Sequence, residues 1–178
     1  MLFRSKRHGR KSNIDDQQAA AIIRKATDIL NRESGPNPFL VHEDLQDVMQ
    51  KYVGIIREKD ELEQALRELL RIRYDTEKVK AHASSQYNPG WNEAIDLQNL
   101  LITAEAVARA ALMREESRGA HTRMDYPDER EEWLKYNIVL RKGSDGSMVV
   151  AKVERPAPPE ELRKIAYAAI EALEGAHG

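Results

Sequence analysis

Hydrophobic residues recur three or four positions apart through four long stretches of the chain, which is the spacing of helices that bury one face. We predict helices over residues 13–34, 37–52, 58–81 and 91–117. Turn-forming residues separate them, most clearly Ser34-Gly35-Pro36 and the segment 82–90. Ser12 or Asn13 is the predicted cap of the first helix.

One apolar stripe is expected to be buried on each helix. The predicted stripes are Ala19, Ile22, Ile23, Ala26, Ile29 and Leu30; Val41, Leu45, Val48, Met49 and Tyr52; Leu62, Ala65, Leu66, Leu69 and Ile72; and Leu97, Leu101, Ala104, Ala108 and Ala111. Leu100, Val107 and Leu112 widen the fourth stripe, which predicts a central helix covered on more than one side. On the third helix, Glu63 and Arg67 have the i,i+4 spacing of an ion pair.

The hydrophobic pattern changes after residue 127. Two short runs rich in β-branched residues, 137–142 and 148–153, flank Gly143-Ser144-Asp145-Gly146, which predicts a hairpin. Three prolines then precede a last helix, whose predicted buried residues are Leu162, Ile165, Ala166, Ala169 and Leu173.

The predicted fold class is therefore mainly α: a three-to-four-helix bundle with spectrin-like up-down packing, followed by a small β-hairpin and a C-terminal helix. We divide the chain into a basic, flexible N-terminal segment (1–12), a helical bundle domain (13–127) and a small C-terminal extension (128–178).

Composition narrows the classes of function. The formal net charge of -2 excludes a generally basic nucleic-acid-binding protein, and the absence of cysteine excludes disulfides and thiolate chemistry. Because no apolar run approaches the roughly 20 residues of a membrane-spanning helix, we expect no direct membrane insertion. The expected location is the cytoplasm, or the cytoplasmic face of a membrane through partner subunits. The basic residues between Arg4 and Lys11 could contact an anionic surface or belong to a disordered terminus.

The segment 114–127, REESRGAHTRMDYP, concentrates five ionisable side chains around a single glycine. They are Glu116, Arg118, His121, Arg123 and Asp125, around Gly119. Such a cluster could carry acid–base chemistry or bind a carboxylate through its arginine. Equally, acids and arginines at a helix end can satisfy its free carbonyls and pair with each other. The rest of the chain has no GxG nucleotide loop, no histidines at metal-ligand spacing and no nucleophile elbow.

The same segment resembles a signature of the succinate dehydrogenase and fumarate reductase flavoprotein subunits, which reads approximately R-x-E-S-R-G-A-H-x-R-x-D-Y/F-P. Residues 37–66, with their M…VGI-R core, are similar to a helical segment of the same family. Trp133-Leu134-Lys135 also fits, although Tyr136 stands where the family usually has histidine. The resemblance covers roughly residues 37–156.

This resemblance implies a parent protein that binds FAD, interconverts succinate and fumarate, and works with an iron–sulfur subunit. It implies that the chain is the C-terminal helical module, which braces the FAD-binding domain and contacts partner subunits. We expect no catalytic, cofactor-binding or metal-binding residue within it, and no redox activity of the isolated chain. The residues assigned to a structural or interface motif are Glu116, Ser117, Arg118, Gly119, His121, Arg123, Asp125 and Tyr126.

Two alternatives remain open at this point. L-aspartate oxidases share the E-S-R-G-x-H core, usually with a bulkier residue at the position of Ala120, so the chain could be the C-terminal domain of such an enzyme. It could also be a stand-alone helical protein-interaction module.

Overall fold

The computed structural model of the chain describes residues 15–166 and 168. Within that part the chain begins with the helices α1 (Asp16–Asn31), α2 (Pro38–Tyr52), α3 (Lys59–Thr76) and α4 (Pro89–Met113). Three of these helices begin at a side chain that accepts hydrogen bonds from the free N–H groups of the first turn. These caps are Asp15 for α1, Asn37 for α2 and Asn88 for α4. Ser12 and Asn13, the predicted caps of α1, lie outside the described residues.

Helices α2, α3 and α4 pack against one another around one hydrophobic core. Leu62 and Ile72 of α3 and Leu97 of α4 are completely buried in it. Small residues let the helices approach closely; the buried alanines are Ala65, Ala94, Ala104, Ala108 and Ala111. Helix α4 is central, because it contacts the three other helices and both strands of the hairpin described below. The mainly α fold class is confirmed.

Helix α1 ends at Asn31, three residues before its predicted end. Helices α3 and α4 also end earlier than predicted, because other parts of the chain take up backbone groups at their ends. Helix α3 ends at Thr76 rather than near Ala81. Beyond it, Lys80 N–H donates to the carbonyl of Pro36 (3.1 Å) and Ala81 N–H to that of Ile29 (3.3 Å), so this segment bonds to the end of α1 and the α1–α2 connection. Helix α4 ends at Met113 rather than near Ser117, so the ionisable segment is not helical.

The predicted stripes of α1 and α4 are partly wrong. Ile22 and Ile23 are exposed, because α1 contacts the bundle only along the edge that buries Ile29. Leu100 and Val107 of α4 are also exposed, since the neighbouring elements leave that edge uncovered.

The predicted pair between Glu63 and Arg67 does not form. The carboxylate of Glu63 lies 3.8 Å from Lys59 Nζ, one turn earlier on α3. The guanidinium of Arg67 donates instead to the side-chain oxygen of Gln64. Both side chains thus find closer partners on their own helix.

The predicted hairpin is present, and it packs against α4. Two strands of two residues each, β1 (Ile56–Arg57) and β2 (Thr122–Arg123), come earlier in the chain. The hairpin follows a 3₁₀ turn over Glu131–Lys135 and consists of the antiparallel strands β3 (Tyr136–Lys142) and β4 (Met148–Glu154). Helix α5 (Glu160–Ala166) follows, but its Leu162, Ile165 and Ala166 are exposed, so the prediction that they form a buried face is wrong. Ala169 and Leu173, predicted for the same face, lie outside the described residues.

Candidate functional site

Beyond the end of α4, the chain folds back on itself through residues 114–127. Gly119 makes the turn with a φ of 59°, in the left-handed region that costs glycine least. Arg118 and His121 exchange backbone hydrogen bonds across it, at 2.8 and 3.1 Å. Strand β2 (Thr122–Arg123) then pairs in parallel with β1 (Ile56–Arg57), which lies between α2 and α3. The segment therefore joins the end of α4 to the α2–α3 connection.

The eight residues predicted as a motif all lie in this segment, and we call them the motif cluster. They are Glu116, Ser117, Arg118, Gly119, His121, Arg123, Asp125 and Tyr126. Their side chains do not form one network around a single open cavity. They form three bonded groups, centred on Glu116, Arg123 and His121.

The first group surrounds the fully buried carboxylate of Glu116. It accepts hydrogen bonds from the guanidinium of Arg114, from Nη2 of Arg118 (3.0 Å) and from the backbone N–H of Arg130 (3.0 Å). Burial raises the pKa of Glu116, but the hydrogen bonds from Arg118, Arg130 and Arg114 outweigh burial and hold this pKa below its ordinary value. Arg118 also donates to Glu129 (2.8 Å), so it links Glu116 to the surface.

The second group closes the C-terminal end of α4. Arg123 is 1% exposed, and its Nη1 donates to the carbonyls of Ala111 (2.8 Å), Leu112 (3.1 Å) and Arg114 (3.1 Å). Two further donors of the same guanidinium form a bidentate pair with Asp125, at 2.8 and 2.6 Å. The bond from Arg123 lowers the pKa of Asp125, against the opposing effect of burial. One arginine therefore satisfies carbonyls that would otherwise be free at a helix end.

Ser117 and Tyr126 hold the returning chain beside this arginine. The hydroxyl of Ser117 accepts from the backbone N–H of Arg123 (2.8 Å) and donates to the carbonyl of Tyr126 (2.8 Å). The ring of Tyr126 has its centroid 5.0 Å from Cζ of Arg123, within the range of a cation–π contact. Both residues thus position Arg123.

The third group connects His121 to the α2–α3 connection. Nη1 of Arg57 donates to Nδ1 of His121 (2.6 Å), and Nε2 of the ring donates to the carbonyl of Arg114 (3.2 Å). This arrangement uses both nitrogens of a neutral imidazole. Burial is the main reason why the pKa of His121 is lowered; the charges of Arg57, Arg123 and Arg114 lower it further, against the bond to the Arg114 carbonyl.

This third group predicts how stability depends on pH. Because its pKa is lowered in the folded chain, His121 contributes stability that is present above about pH 6.5, the ordinary pKa, and is lost as the pH falls through the folded value. We expect the melting temperature to fall between about pH 8 and 5.5, and His121→Asn to flatten that fall. Thermal unfolding monitored by circular dichroism measures both. The exposed His82 supplies the control, and an equal flattening in His82→Asn would contradict the assignment.

Arg57 was not predicted as a member of this site, and Arg114 and Arg130 were not predicted as part of the motif. Arg57 lies in a strand of two residues, which is too short to leave an alternating pattern. The sequence signal for Arg57 was the similarity of the VGI-R segment, which contains this arginine, to the family. Arg130 contributes through its backbone N–H, which no side-chain pattern reports.

The chemistry available to the motif cluster is limited because its acids and its imidazole are already bonded. Glu116 and Asp125 are held by arginines, and both nitrogens of His121 are occupied. Among the described residues, no group of three histidine or acidic side chains is placed to hold a metal ion. Within the same residues, every helix is too short or too polar to cross a membrane. The geometry is that of a polar cap that locks three chain segments together.

Comparison with known proteins assigns the chain to a protein family. The family model described as "Fumarate reductase flavoprotein C-term" matches residues 42–167, which include most of α2, all of α3 and α4, the motif cluster and the hairpin. The chain belongs to this family. The predicted resemblance to succinate dehydrogenase and fumarate reductase flavoprotein subunits is confirmed.

Individual relatives of the chain support the same family assignment. The chain is 32% identical over 136 residues to the succinate dehydrogenase flavoprotein subunit of Coxiella burnetii, covering 75% of this chain and 23% of that protein. It is 30% identical over 147 residues to the fumarate reductase flavoprotein subunit of Helicobacter pylori, covering 79% and 21%. The chain thus spans about a fifth of the length of these curated relatives.

A solved structure extends the agreement to the fold. The Mycobacterium smegmatis Sdh1 complex in the apo form contains a chain that matches with a TM-score of 0.80 and 31% identity, over 93% of this chain and 30% of that one. The family and these relatives favour the flavoprotein interpretation over an L-aspartate oxidase domain or a stand-alone interaction module.

Proposed function

We propose that the chain is the C-terminal helical module of a flavoprotein that binds FAD and interconverts succinate and fumarate. In this proposal the redox chemistry takes place in an FAD-binding domain, on the same polypeptide or on a separate one, and the module braces that domain. An iron–sulfur subunit is the further partner that we propose. The family match supports the proposed reaction. The observation that carries the proposed bracing role is the motif cluster, whose ionisable groups are used for internal bonds beside exposed apolar side chains.

That surface lies on the two short strands and beside them, and we call it the apolar tip. It consists of Ile55, Ile56 and Met124, which are 67%, 65% and 62% exposed. The backbone there is fixed, since Thr122 N–H donates to the carbonyl of Ile55 and Met124 N–H to that of Arg57. Several large apolar side chains exposed along a short stretch of hydrogen-bonded backbone favour a surface that another protein covers.

The structural role that we propose for the motif cluster follows from this arrangement. The bonds of Arg123 close the end of α4, and the bond between Arg57 and His121 joins the following segment to the α2–α3 connection, beside the apolar tip. The bonds of Glu116 hold the same segment to Arg114 and to the backbone of Arg130. Rigid support lowers the entropy that is lost when a surface binds its partner. The motif cluster is thus proposed as the base of the docking surface for the FAD-binding domain.

Assembly with the FAD-binding domain tests the proposal. We expect Ile55→Asp to weaken this association about tenfold or more, because a charge would be buried in the interface. Ile22→Asp on α1, at a side chain that is 63% exposed, is the matched control and should bind as the unchanged chain does. Calorimetric titration of the module with the FAD-binding domain measures both affinities.

The activity of the assembled flavoprotein tests the other half of the proposal. We expect succinate-dependent reduction of an artificial dye, and no comparable reduction with aspartate. Aspartate turnover in preference to succinate would contradict the proposed reaction and leave the docking surface standing. Equal binding by Ile55→Asp and Ile22→Asp would contradict the docking surface and leave the reaction standing.

A further inference from the structure

A small groove between α3 and α4 concentrates arginines on the side of the bundle. Its volume is about 100 Å³, and it lies around Glu105, about two helical turns before α4 ends. We call it the basic groove; its lining residues are Leu66, Arg67, Leu69, Leu70, Arg73, Glu105 and Arg109. None of them belongs to the motif cluster or to the apolar tip.

The charges in the basic groove do not balance. The side chain of Glu105 is largely buried and accepts from Arg73 Nη2 (2.5 Å) and from Arg109 Nε (2.7 Å), so one carboxylate serves two arginines. The third, Arg67, donates to the neutral amide oxygen of Gln64. Three guanidinium groups therefore line the groove with one carboxylate, which leaves a positive lining. Within the described residues, each of the three arginines also keeps N–H groups that no protein acceptor takes up.

Exposed apolar side chains follow the groove along both helices at or one turn from its lining residues, and we call them its apolar rim. Leu70 and Tyr74 lie one turn apart on α3 and are 62% and 59% exposed, and Ile102 lies one turn before Glu105 on α4 and is 54% exposed. Single exposed apolar residues are ordinary on a protein surface. Three large ones beside a positive notch form a mixed surface, of the kind enriched at protein–protein contacts.

We propose that the basic groove binds an acidic segment of a partner polypeptide. One aspartate or glutamate carboxylate of that segment occupies the notch, where Arg67, Arg73 and Arg109 donate to it. Neighbouring apolar side chains of the segment cover Leu70, Tyr74 and Ile102. A polypeptide fits better than a free anion, because a free anion would leave this apolar rim exposed. This surface is additional to the proposed docking of the FAD-binding domain and does not depend on it.

A defined peptide tests the proposal. The probe is an acetylated and amidated peptide of about 12 residues, about 18 Å long as a helix, with glutamate and leucine at helical spacing. The same peptide with glutamine in place of glutamate is its control. Titration of the ¹⁵N-labelled chain, followed at the side-chain Nε–H signals of Arg67, Arg73 and Arg109, reports binding at this site. We expect the glutamate peptide to bind at least about tenfold more tightly than the glutamine peptide.

Reversing one charge in the groove, outside the Glu105 ion pairs, tests whether the peptide binds at this site or is only attracted by the charge of the whole chain. Arg67→Glu leaves the bonds among Arg73, Arg109 and Glu105 in place and should weaken the glutamate peptide about tenfold or more. Arg24→Glu, at an exposed arginine of α1, should change the affinity by less than about twofold. The proposal would be overturned if the glutamate peptide did not bind, or if the two peptides bound equally well. It would also be overturned if Arg67→Glu and Arg24→Glu changed the affinity equally. Acetate that moves the same signals with the affinity of the peptide would overturn it as well, because the groove would then be a site for free anions.

Discussion

Replacing Arg123 with alanine is expected to lower the free energy of unfolding by about 3–5 kcal/mol, the largest effect among the substitutions that we predict for this chain. The substitution removes a buried guanidinium that donates to three carbonyls at the end of α4. It also leaves the carboxylate of Asp125 without its bidentate partner. The cost comes from stranding buried acceptors, which is larger than the net value of the bonds themselves.

Chemical denaturation of the unchanged chain and of Arg123→Ala measures this difference. Arg67→Ala is the control, because the Arg67 side chain is exposed and bonded within one helix; its effect should stay within about 0.5 kcal/mol. Arg123→Lys should fall between the two, since lysine keeps the charge but lacks the planar fork that reaches Asp125 and the carbonyls together. A loss of less than about 1 kcal/mol in Arg123→Ala would show that the helix end does not depend on this residue.

The second large effect is expected at Glu116. Glu116→Gln should lower the free energy of unfolding by about 2–4 kcal/mol, because Arg114 and Arg118 lose the buried charge that pairs with both. The two arginines are partly exposed and can turn towards water, so the cost should be smaller than that of removing Arg123. Loss of the carboxylate also removes its pH dependence. Since the folded pKa of Glu116 is lowered, its stabilisation is present above about pH 4.5 and disappears as the pH falls through the folded value.

Glu129 provides the matched comparison for this experiment. Its carboxylate also pairs with Arg118, but its side chain is 61% exposed, so Glu129→Gln should change stability by less than about 1 kcal/mol. Denaturation curves at pH 7 and at pH 4 separate the two variants. If Glu129→Gln and Glu116→Gln lowered the free energy of unfolding by similar amounts, burial of Glu116 would contribute nothing to stability. The group centred on Glu116 would then have no structural role.

The helices and their starting points could be predicted from the sequence because the signals are local. Asn37-Pro38 combines a capping side chain with a proline in the first turn, and α2 begins there as predicted. Asn88-Pro89 has the same combination, but it falls within the predicted turn segment 82–90, so α4 begins two residues before its predicted start at Trp91. The core stripes of α2 and α3 follow the helical period and are buried or partly buried as predicted. The turn of the hairpin could also be predicted, because its glycines favour a turn; Gly146 has a φ of 84°, which suits glycine.

The errors concern contacts between distant parts of the chain. Periodicity marks Ile22 as part of an apolar stripe but does not show how much of α1 the bundle covers. The early end of α4 depends on a guanidinium ten residues further along, which local helix propensity does not include. The position of the motif could be predicted from its composition. Its division into groups around Glu116, Arg123 and His121 could not, because two of the groups need Arg57 and the backbone of Arg130.

The parallel pairing of β1 with β2 has a consequence for the order in which the chain folds. Arg57 and His121 are 64 positions apart, and the segment between them contains all of α3 and α4. Closing so long a loop is entropically unfavourable until the intervening helices have packed, whereas the α3–α4 hairpin forms through more local contacts. The β1–β2 pairing and the Arg57–His121 contact should therefore form late, after the rate-limiting step. Late contacts determine how slowly the native state opens rather than how fast it is reached, so this part of the motif cluster contributes chiefly to the kinetic lifetime of the folded module.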